Sequence, residues 1–362
     1  MIDAGPGPSR LDKPALHTRI CALFGVRYPI VQTGMGWVSG ARLTAATSQA
    51  GGLGILASAT MTLPQLQQAI REVKERTDKP FGVNLRADQS DVKERVALLV
   101  SSGVKVASFA QAPDQELIKR LKGEGVVTMP TVGARRHAEK VAAWGVDAVI
   151  AQGHEGGGHT GPVPTSLLLP QVCSAVDIPV LGAGGFFDGR GLVAALAYGA
   201  SGIAMGTRFL MTRESTVPDA VKQLYLDTPL TGTVVTRSID GYPQRVIRTA
   251  LVDRLERSGR ALGLLRALKH AWAFRALTGA SFTDLLTEGL TMKNKEELTY
   301  GQLAMAASAP MLTRAALVDG RPDVGVLPTG QAAGVMDDLP AVADVIDRIM
   351  REAEETLARL GG

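Results

Sequence analysis

The loop Gly153–Gly161 holds the side chains of this sequence that are best suited to chemistry, because two histidines and a glutamate lie within nine residues. The spacing of His154, Glu155 and His159 does not match the helical zinc motif, and the three glycines between them disfavour the helix which that motif needs. We therefore predict no metal. Imidazole titrates near neutral pH, so His159 is predicted to act as a general base, with His154 supporting the loop.

A second group of residues is suited to binding an anion. Gly184 and Gly185 follow one apolar run, and Gly206 and Thr207 follow the next. Glycine lets the backbone N–H groups approach a phosphate closely, and a threonine hydroxyl can donate as well. These four residues are predicted to hold a phosphate group.

Other reactive arrangements are missing from the sequence. No lysine lies where a Schiff-base aldolase keeps one, Lys105 being the nearest, and there is no Gly-x-Ser-x-Gly motif or acid pair spaced for glycoside hydrolysis. A phosphate-binding fold with one base and no metal is typical of a flavin mononucleotide (FMN) enzyme, in which the flavin supplies the redox chemistry.

The elements that must position these residues are short apolar runs that lack alternation, as in strands covered on both faces. They recur every 20 to 30 residues over the first two hundred positions, which favours a closed (β/α)8 TIM barrel with its site at the carboxyl ends of the strands. A doubly wound open sheet stays a possible alternative. The eight predicted strands are Pro29–Gln32, Gly52–Leu56, Phe81–Asn84, Val104–Phe109, Val126–Pro130, Ala148–Gln152, Val180–Ala183 and Gly202–Met205.

Helical patterns lie between the runs, and glycines just after several of them predict left-handed caps. Thr62 is predicted to cap the helix Leu63–Arg76. After Gly206 the repeat stops, and Thr207–Pro243 is predicted to be irregular. We predict a barrel over 18–215, a helical lid or substrate subdomain over 216–335, and a final helix over 336–362 that packs back on the barrel. The helices predicted in the last two parts are Arg248–Leu277, Glu296–Ala316 and Leu339–Leu360.

The composition is that of a packed protein. The chain has 362 residues, 45% of them hydrophobic and 20% charged, which excludes a disordered or collagen-like chain. Two cysteines are too few for a disulfide framework, and no apolar run reaches the roughly 18 residues of a membrane span. We predict a cytoplasmic protein that can form a homo-oligomer, with no membrane or nucleic-acid partner.

Positive charge is concentrated in Val235–Arg275, which contains nine basic residues and three acidic ones. A solvated helical face is the simplest interpretation. The sharper hypothesis is a cationic surface for the phosphates of a coenzyme A ester, with Arg254, Arg257 and Arg260 as its binding residues. A nucleic-acid surface is disfavoured because aromatic residues are sparse there and no binding motif accompanies the charge.

At these residues the chain resembles the nitronate monooxygenase family, which consists of FMN-containing (β/α)8 barrels and includes flavin enoyl-acyl-carrier-protein reductases. Together the matches are specific and span most of residues 25–215. The matching segments are Pro29–Gly36, Gly51–Gly54, Val83–Leu85, Gln152–Gly161, Ala183–Gly185, Met205–Phe209 and Gly330–Gln331.

The resemblance implies that FMN lies over the strand ends and that His159 is the base. It implies that the phosphate is bound by Gly184, Gly185, Gly206 and Thr207. It further implies that the flavin contacts come from Gly34, Met35, Gly36, Asn84, Gln152, Gly157, Gly158 and Ala183, and that Gln331 contributes to substrate binding.

Two positions depart from the family pattern. Gly156 stands where the family has alanine in Glu-Ala-Gly-Gly-His, and Thr131 stands about where the best-known nitronate monooxygenases keep a lysine. The second departure disfavours a small nitronate as substrate. Chain length, the basic insertion and the segment Gly325–Leu339 are similar to an actinobacterial branch that oxidises a steroid-derived hydroxy-indane carboxyl-CoA ester.

The leading hypothesis is therefore α,β-oxidation of a bulky acyl-CoA, or its reverse, with His159 removing the α-proton. Nitronate oxidation with oxygen and enoyl-thioester reduction with a nicotinamide donor are the enzymatic alternatives. A flavin- or CoA-ester-binding module without turnover is the non-enzymatic one.

Overall fold

The eight apolar runs form eight parallel strands that close into a barrel in the computed structural model, which describes residues 16–110, 113–257 and 300–361. The last barrel strand pairs with the first, with Ile30 opposite Ile203 and Gln32 opposite Met205. The predicted (β/α)8 barrel is confirmed, and the open-sheet alternative is wrong. The barrel strands are β1 (Ile30–Gln32), β2 (Leu53–Ala57), β3 (Phe81–Leu85), β4 (Val106–Phe109), β5 (Val127–Val132), β6 (Val149–Gln152), β8 (Val180–Ala183) and β9 (Gly202–Met205).

Helices cover the outside of the barrel, and their ends follow from local sequence. Thr62 caps α3 as predicted, since its hydroxyl accepts from the Gln65 N–H at 3.4 Å and the Gln65 side chain accepts from the Thr62 N–H at 2.8 Å. These helices are α1 (Arg19–Phe24), α2 (Ala41–Gln49), α3 (Leu63–Arg76), α4 (Val92–Ser101), α5 (Gln115–Gly123), α6 (Arg135–Ala143), α7 (Thr165–Cys173), α8 (Gly189–Ala197) and α9 (Thr207–Leu210).

The segment after β9 differs from its prediction as an irregular stretch. It contains two helices and the first strand of an antiparallel hairpin, and the hairpin makes a three-stranded sheet with β7 (Gly158–His159) in the loop after β6. Strands of four residues carry little periodic signal, and β11 is buried although it contains Gln244 and Arg245, which is why the sequence did not reveal them. The elements in this part are α10 (Asp219–Leu226), β10 (Thr233–Thr236), β11 (Gln244–Ile247) and α11 (Ala250–Arg257).

The predicted C-terminal helices begin and end close to their predicted bounds, as α12 (Tyr300–Leu317) and α13 (Val342–Gly361). A short 3-10 helix, Gln331–Val335, lies between them. Helix α13 packs tightly on α8, because a Cβ at Gly189 would lie 2.4 Å from the Ile349 carbonyl oxygen. Residues 258–277 of the predicted helix Arg248–Leu277, and 296–299 of the next one, lie outside the described residues.

An ion-pair network holds the C-terminal segment beside the end of β9. The buried Arg208 guanidinium donates to Asp338 Oδ1 at 3.0 Å, and Arg348 donates to Asp338 Oδ2 at 2.6 Å. Burial lowers the pKa of Arg208, and the Asp338 carboxylate opposes that shift. Burial raises the pKa of Asp338, but hydrogen bonds and charge from Arg348 and Arg208 outweigh it, so this pKa lies below its ordinary value. The network thereby fixes the backbone next to Thr207.

Candidate active site

The loop after β6 is drawn into the three-stranded sheet rather than left free. Strand β11 lies between β10 and β7, with Gln244 opposite His159 and Arg245 opposite Gly158. The pairing fixes where His159 lies relative to a hairpin that is about eighty residues away along the chain. Glycine at 158 has a φ of +68°, a left-handed conformation that a side chain would strain.

His159 is paired with Asp240, a residue that the sequence did not single out. The His159 Nε2 atom lies 2.7 Å from Asp240 Oδ2. Asp240 is buried, with its side chain 6% exposed, whereas the His159 side chain is 65% exposed. The other carboxylate oxygen of Asp240 accepts from the Tyr242 N–H at 3.0 Å. An ionised carboxylate can only accept, so Nε2 carries the hydrogen and Nδ1 is the nitrogen without one.

The remaining polar residues of the loop support its shape. His154 Nδ1 lies 2.7 Å from the Gly161 carbonyl oxygen, in agreement with the supporting role predicted for it. The buried Arg245 guanidinium donates to the His154 carbonyl oxygen at 3.1 Å and 3.3 Å. Burial lowers the pKa of Arg245, and the negative charge of Glu155 opposes that shift. Glu155 itself accepts from the backbone and side chain of Thr165. Both charged side chains are therefore used for structure.

The predicted phosphate residues meet at the carboxyl ends of β8 and β9. Gly184 and Gly185 have φ of +93° and +82°, and a Cβ at Gly184 would lie 3.0 Å from both the Gly153 carbonyl oxygen and Thr165 Oγ1. In the part of the chain that the structure describes, the two backbone N–H groups donate to no protein atom. Thr207 Oγ1 accepts from the Gly330 N–H at 2.9 Å, which leaves its own hydrogen available. These two N–H groups and the Thr207 hydroxyl form a phosphate cradle, a group of hydrogen-bond donors without protein acceptors among the described residues that fits an anionic phosphate.

The residues predicted to contact a flavin ring lie at the same end of the barrel. A Cβ at Gly34 would lie 2.4 Å from Asn84 Cβ, and one at Gly206 would lie 3.4 Å from Met35 Sδ. The loop after β1 therefore lies against Gly206, one of the residues predicted to bind the phosphate. Gln152 donates to the His159 carbonyl oxygen at 2.7 Å. Gly36 lies beside Thr60, and Ala183 is buried at the end of β8.

Gly157 and the segment Gly330–Gln331 are brought together as well. A Cβ at Gly157 would lie 2.5 Å from the Gly330 nitrogen, so the backbones of these two glycines are in contact. The Gln331 N–H donates to the Glu155 carbonyl oxygen at 3.0 Å. The late sequence motif thus belongs to the same loop cluster as His159.

Trp37 is a second residue of this region that the sequence did not single out. Its φ of +66° is one that residues with a side chain rarely adopt. The indole N–H donates to the Pro310 carbonyl oxygen at 3.0 Å, and the Arg314 guanidinium lies 5.4 Å from the ring centroid. These contacts attach helix α12 to the loop after β1. An aromatic residue directly after Gly34–Gly36 was the one available signal.

Two of the predicted basic residues lie on α11, the helix that follows β11. Arg254 and Arg257 are exposed on α11, and Arg257 Nε donates to the Asp253 carbonyl oxygen at 3.1 Å. Arg260 lies outside the described residues.

Within 16–110, 113–257 and 300–361, no group of three or more histidine, cysteine, aspartate or glutamate residues could hold a metal ion. No helix in these ranges is long and apolar enough to span a membrane.

Many (β/α)8 enzymes bind a phosphate-bearing cofactor or substrate in glycine-rich loops at the carboxyl end of the barrel, where Gly184, Gly185 and His159 lie. The family model described as nitronate monooxygenase matches residues 17–97 and 90–352. The chain therefore belongs to the nitronate monooxygenase family and is an oxidoreductase. Membership of this family supports a flavin as the cofactor, and the cradle described above fits one.

Two curated relatives are similar over nearly their whole length. A (3aS,4S,5R,7aS)-5-hydroxy-7a-methyl-1-oxo-octahydro-1H-indene-4-carboxyl-CoA dehydrogenase from Mycobacterium tuberculosis is 58% identical over 341 residues, 93% of this chain and 96% of that protein. The protein of the same name from Rhodococcus jostii is 58% identical over 346 residues, 96% of this chain and 98% of its own.

Solved structures show the same fold. FabK from Thermotoga maritima has a TM-score of 0.77 and 34% identity, covering 95% of this chain and 98% of its own. Nitroalkane oxidase from Streptomyces ansochromogenes has a TM-score of 0.73 and 29% identity, covering 94% of this chain and 99% of its own.

Proposed function

We propose that the protein is an FMN-dependent dehydrogenase of a bulky acyl-CoA, the steroid-derived hydroxy-indane carboxyl-CoA ester after which the two relatives are named. The observation that carries the proposal is the His159–Asp240 pair, at 2.7 Å, at the carboxyl end of the barrel. It provides a base with one free, oriented nitrogen beside a cofactor cradle. The 58% identity over nearly whole chains supports this substrate class.

The chemistry assigned to the chain is proton removal. His159 Nδ1 takes the proton from the carbon α to the thioester, and the electron pair of that C–H bond stays on the substrate. When bound, FMN accepts the hydride that leaves the β-carbon, so that a C=C bond forms between the two carbons. Asp240 stabilises the imidazolium that results, because its carboxylate is buried and lies against Nε2.

Anaerobic mixing of the FMN-loaded protein with the hydroxy-indane carboxyl-CoA ester tests the proposal. The flavin absorbance is expected to bleach within the time of one turnover, and addition of an electron acceptor is expected to restore it. The same ester without coenzyme A, as the free acid, is the control. An unchanged spectrum with this and other acyl-CoA esters would refute acyl-CoA oxidation.

We propose FMN as the flavin, and the backbone N–H groups of Gly184 and Gly185, which are free in the described part of the chain and can donate to a phosphate, support this choice. Gly184, Gly185, Gly206 and Thr207 bind that phosphate. The residues that line the flavin itself are Gly34, Met35, Gly36, Asn84, Gln152, Gly157, Gly158 and Ala183.

Gly184→Ala is expected to weaken FMN binding about tenfold, because a side chain at a φ of +93° strains the backbone by roughly 1–2 kcal/mol. Riboflavin, which lacks the phosphate, is expected to lose less affinity. Gly125→Ala is the matched control, since Gly125 has a φ of +73° but has no atom within 4 Å of an added Cβ and precedes β5 at the opposite end of the barrel. Titration of the apoprotein with both flavins measures the effect. Equal losses in the two variants would argue against this phosphate site.

The substrate residues are Gln331, which lies in the loop cluster, and Arg254, Arg257 and Arg260, which bind the coenzyme A phosphates. Replacing Arg254 and Arg257 together by glutamine is expected to raise KM for the CoA ester about fivefold to tenfold, because each exposed charge contributes up to about 1 kcal/mol. KM for the pantetheine thioester, which lacks the nucleotide phosphates, is expected to stay constant. The double replacement of Arg71 and Arg76, exposed on α3, is the control. Parallel changes for both thioesters would refute phosphate binding.

Nitronate oxidation is the second candidate, favoured by the family match and by the similarity to nitroalkane oxidase. The same histidine and flavin would act on a small nitronate while oxygen is consumed. Oxygen uptake with propionate-3-nitronate, at a rate above that with the CoA ester, would select it. The division at 215/216 and 335/336, the cytoplasmic location and the homo-oligomer stay predictions.

A further inference from the structure

Gln244 lies directly opposite His159 in the sheet that crosses the mouth of the barrel. The Thr160 N–H donates to the Pro243 carbonyl oxygen at 3.0 Å, next to this pair. That bond flanks a non-hydrogen-bonded pair of an antiparallel ladder, the arrangement in which two side chains leave the same face and come closest. Their Cβ atoms are about 4.5–5.5 Å apart in such pairs. Gln244 is therefore an immediate neighbour of the proposed base.

The side-chain amide nitrogen of Gln244 has no hydrogen-bond acceptor in the described part of the chain. Gln244 is only 5% exposed, and its Nε2 atom is buried without an acceptor in the described part of the chain. Thr236, opposite Gln244 on its other side, uses its hydroxyl to accept from the Ser238 N–H at 3.1 Å. Burying a donor without an acceptor is costly, and a bound ligand that supplies the acceptor would remove that cost.

We infer that the Gln244 Nε2–H donates to the thioester carbonyl oxygen of the substrate and stabilises the enolate formed there. The inference rests on the proposed acyl-CoA oxidation. When His159 takes the α-proton, the electron pair delocalises onto this oxygen, whose carbon is bonded to the α-carbon. Base and donor must therefore be neighbours, as His159 and Gln244 are. Gln244 keeps its hydrogen throughout, so no further reactant is needed.

Gln244→Met removes the donor while keeping a side chain of similar length. The hydrogen bond strengthens as charge develops on the oxygen, so kcat is expected to fall about 10²-fold while KM stays nearly constant. Gln244→Glu is a second variant of the same shape in which an acceptor replaces the donor, and its kcat is expected to fall as well. Retained FMN content shows that each variant is folded.

Acetoacetyl-CoA provides a readout that needs no flavin turnover, because its α-protons are acidic and its enolate absorbs in the near ultraviolet. The wild-type protein is expected to bind it as the enolate below the pH at which it ionises in water. A 10²-fold weaker affinity for the enolate moves that ionisation upward by about 2 pH units, so both variants are expected to need a higher pH.

Thr236→Val is the control, because it changes the same face of the sheet without removing an amide, and both readouts are expected to match the wild type. A wild-type enolate titration in either folded Gln244 variant would overturn the inference. If the wild-type protein itself neither ionises acetoacetyl-CoA nor is bleached by a CoA ester, the proposed function fails, and this inference fails with it.

Discussion

His159→Ala is expected to lower turnover with the CoA ester about 10²–10⁴-fold, the usual contribution of a positioned general base. The reason is that the described site offers one exposed imidazole held against a buried carboxylate, with Nε2 to Oδ2 at 2.7 Å. The variant is expected to keep its yellow colour, since the phosphate cradle lies on β8 and β9 and does not include the His159 side chain.

Stopped-flow bleaching of the flavin measures this effect, with FMN content as the check on folding. His137→Ala, an exposed histidine on α6, is the matched control and is expected to behave as the wild type. Turnover within threefold of the wild type would remove His159 from the mechanism, whereas a colourless variant would show that His159 contributes to cofactor binding.

Asp240→Asn is expected to lower kcat by about 10²-fold because it reverses the protonation of the imidazole. The Tyr242 N–H, 3.0 Å from Oδ1, would hold the amide oxygen of the new asparagine. The amide nitrogen would then face His159 Nε2 as a donor. Nε2 must accept from it, so the hydrogen moves to Nδ1, the atom that is needed as the base.

Asp240 is a positioning residue, so its test must separate orientation from folding. Imidazole ¹⁵N chemical shifts report which nitrogen carries the hydrogen, and the pH profile of kcat is expected to change along with them. Asp240→Glu is expected to restore part of the rate because it again offers an acceptor. Asp253→Asn, which removes a carboxylate that pairs with Arg248, is the control. An unchanged tautomer in Asp240→Asn would refute the argument.

The barrel could be predicted from the sequence because the signals for its strands and helices each lie within a few neighbouring residues. Each strand is a short apolar run, and several intervening helices have a side-chain cap at their first turn, as Thr62, Asp114 and Asp188 show. Since parallel strands place their carboxyl ends at one edge, the residues after each run were bound to converge. For that reason Gly34, Asn84, Gly184 and Gly206 were identified before their geometry was known.

The partners of the base could not be predicted in the same way. Asp240 and Gln244 lie more than eighty residues after His159, Asp240 in the turn between β10 and β11 and Gln244 in β11, a buried strand of only four residues. Nothing in the local sequence distinguishes a carboxylate or an amide in such a hairpin from the many polar residues around it. The basic character of the surrounding segment drew attention to arginines instead, and the buried Arg245 proved to support the loop backbone.

By itself, then, the sequence determined the eight-stranded barrel, its cofactor end and the histidine of the glycine-rich loop, because apolar periodicity and glycine act over a few residues. Only the tertiary structure decided which nitrogen of His159 lies against Asp240 and which residue lies opposite His159. That choice depends on antiparallel pairing between β7 and β11, a contact between distant segments that backbone hydrogen bonds specify and side-chain pattern does not.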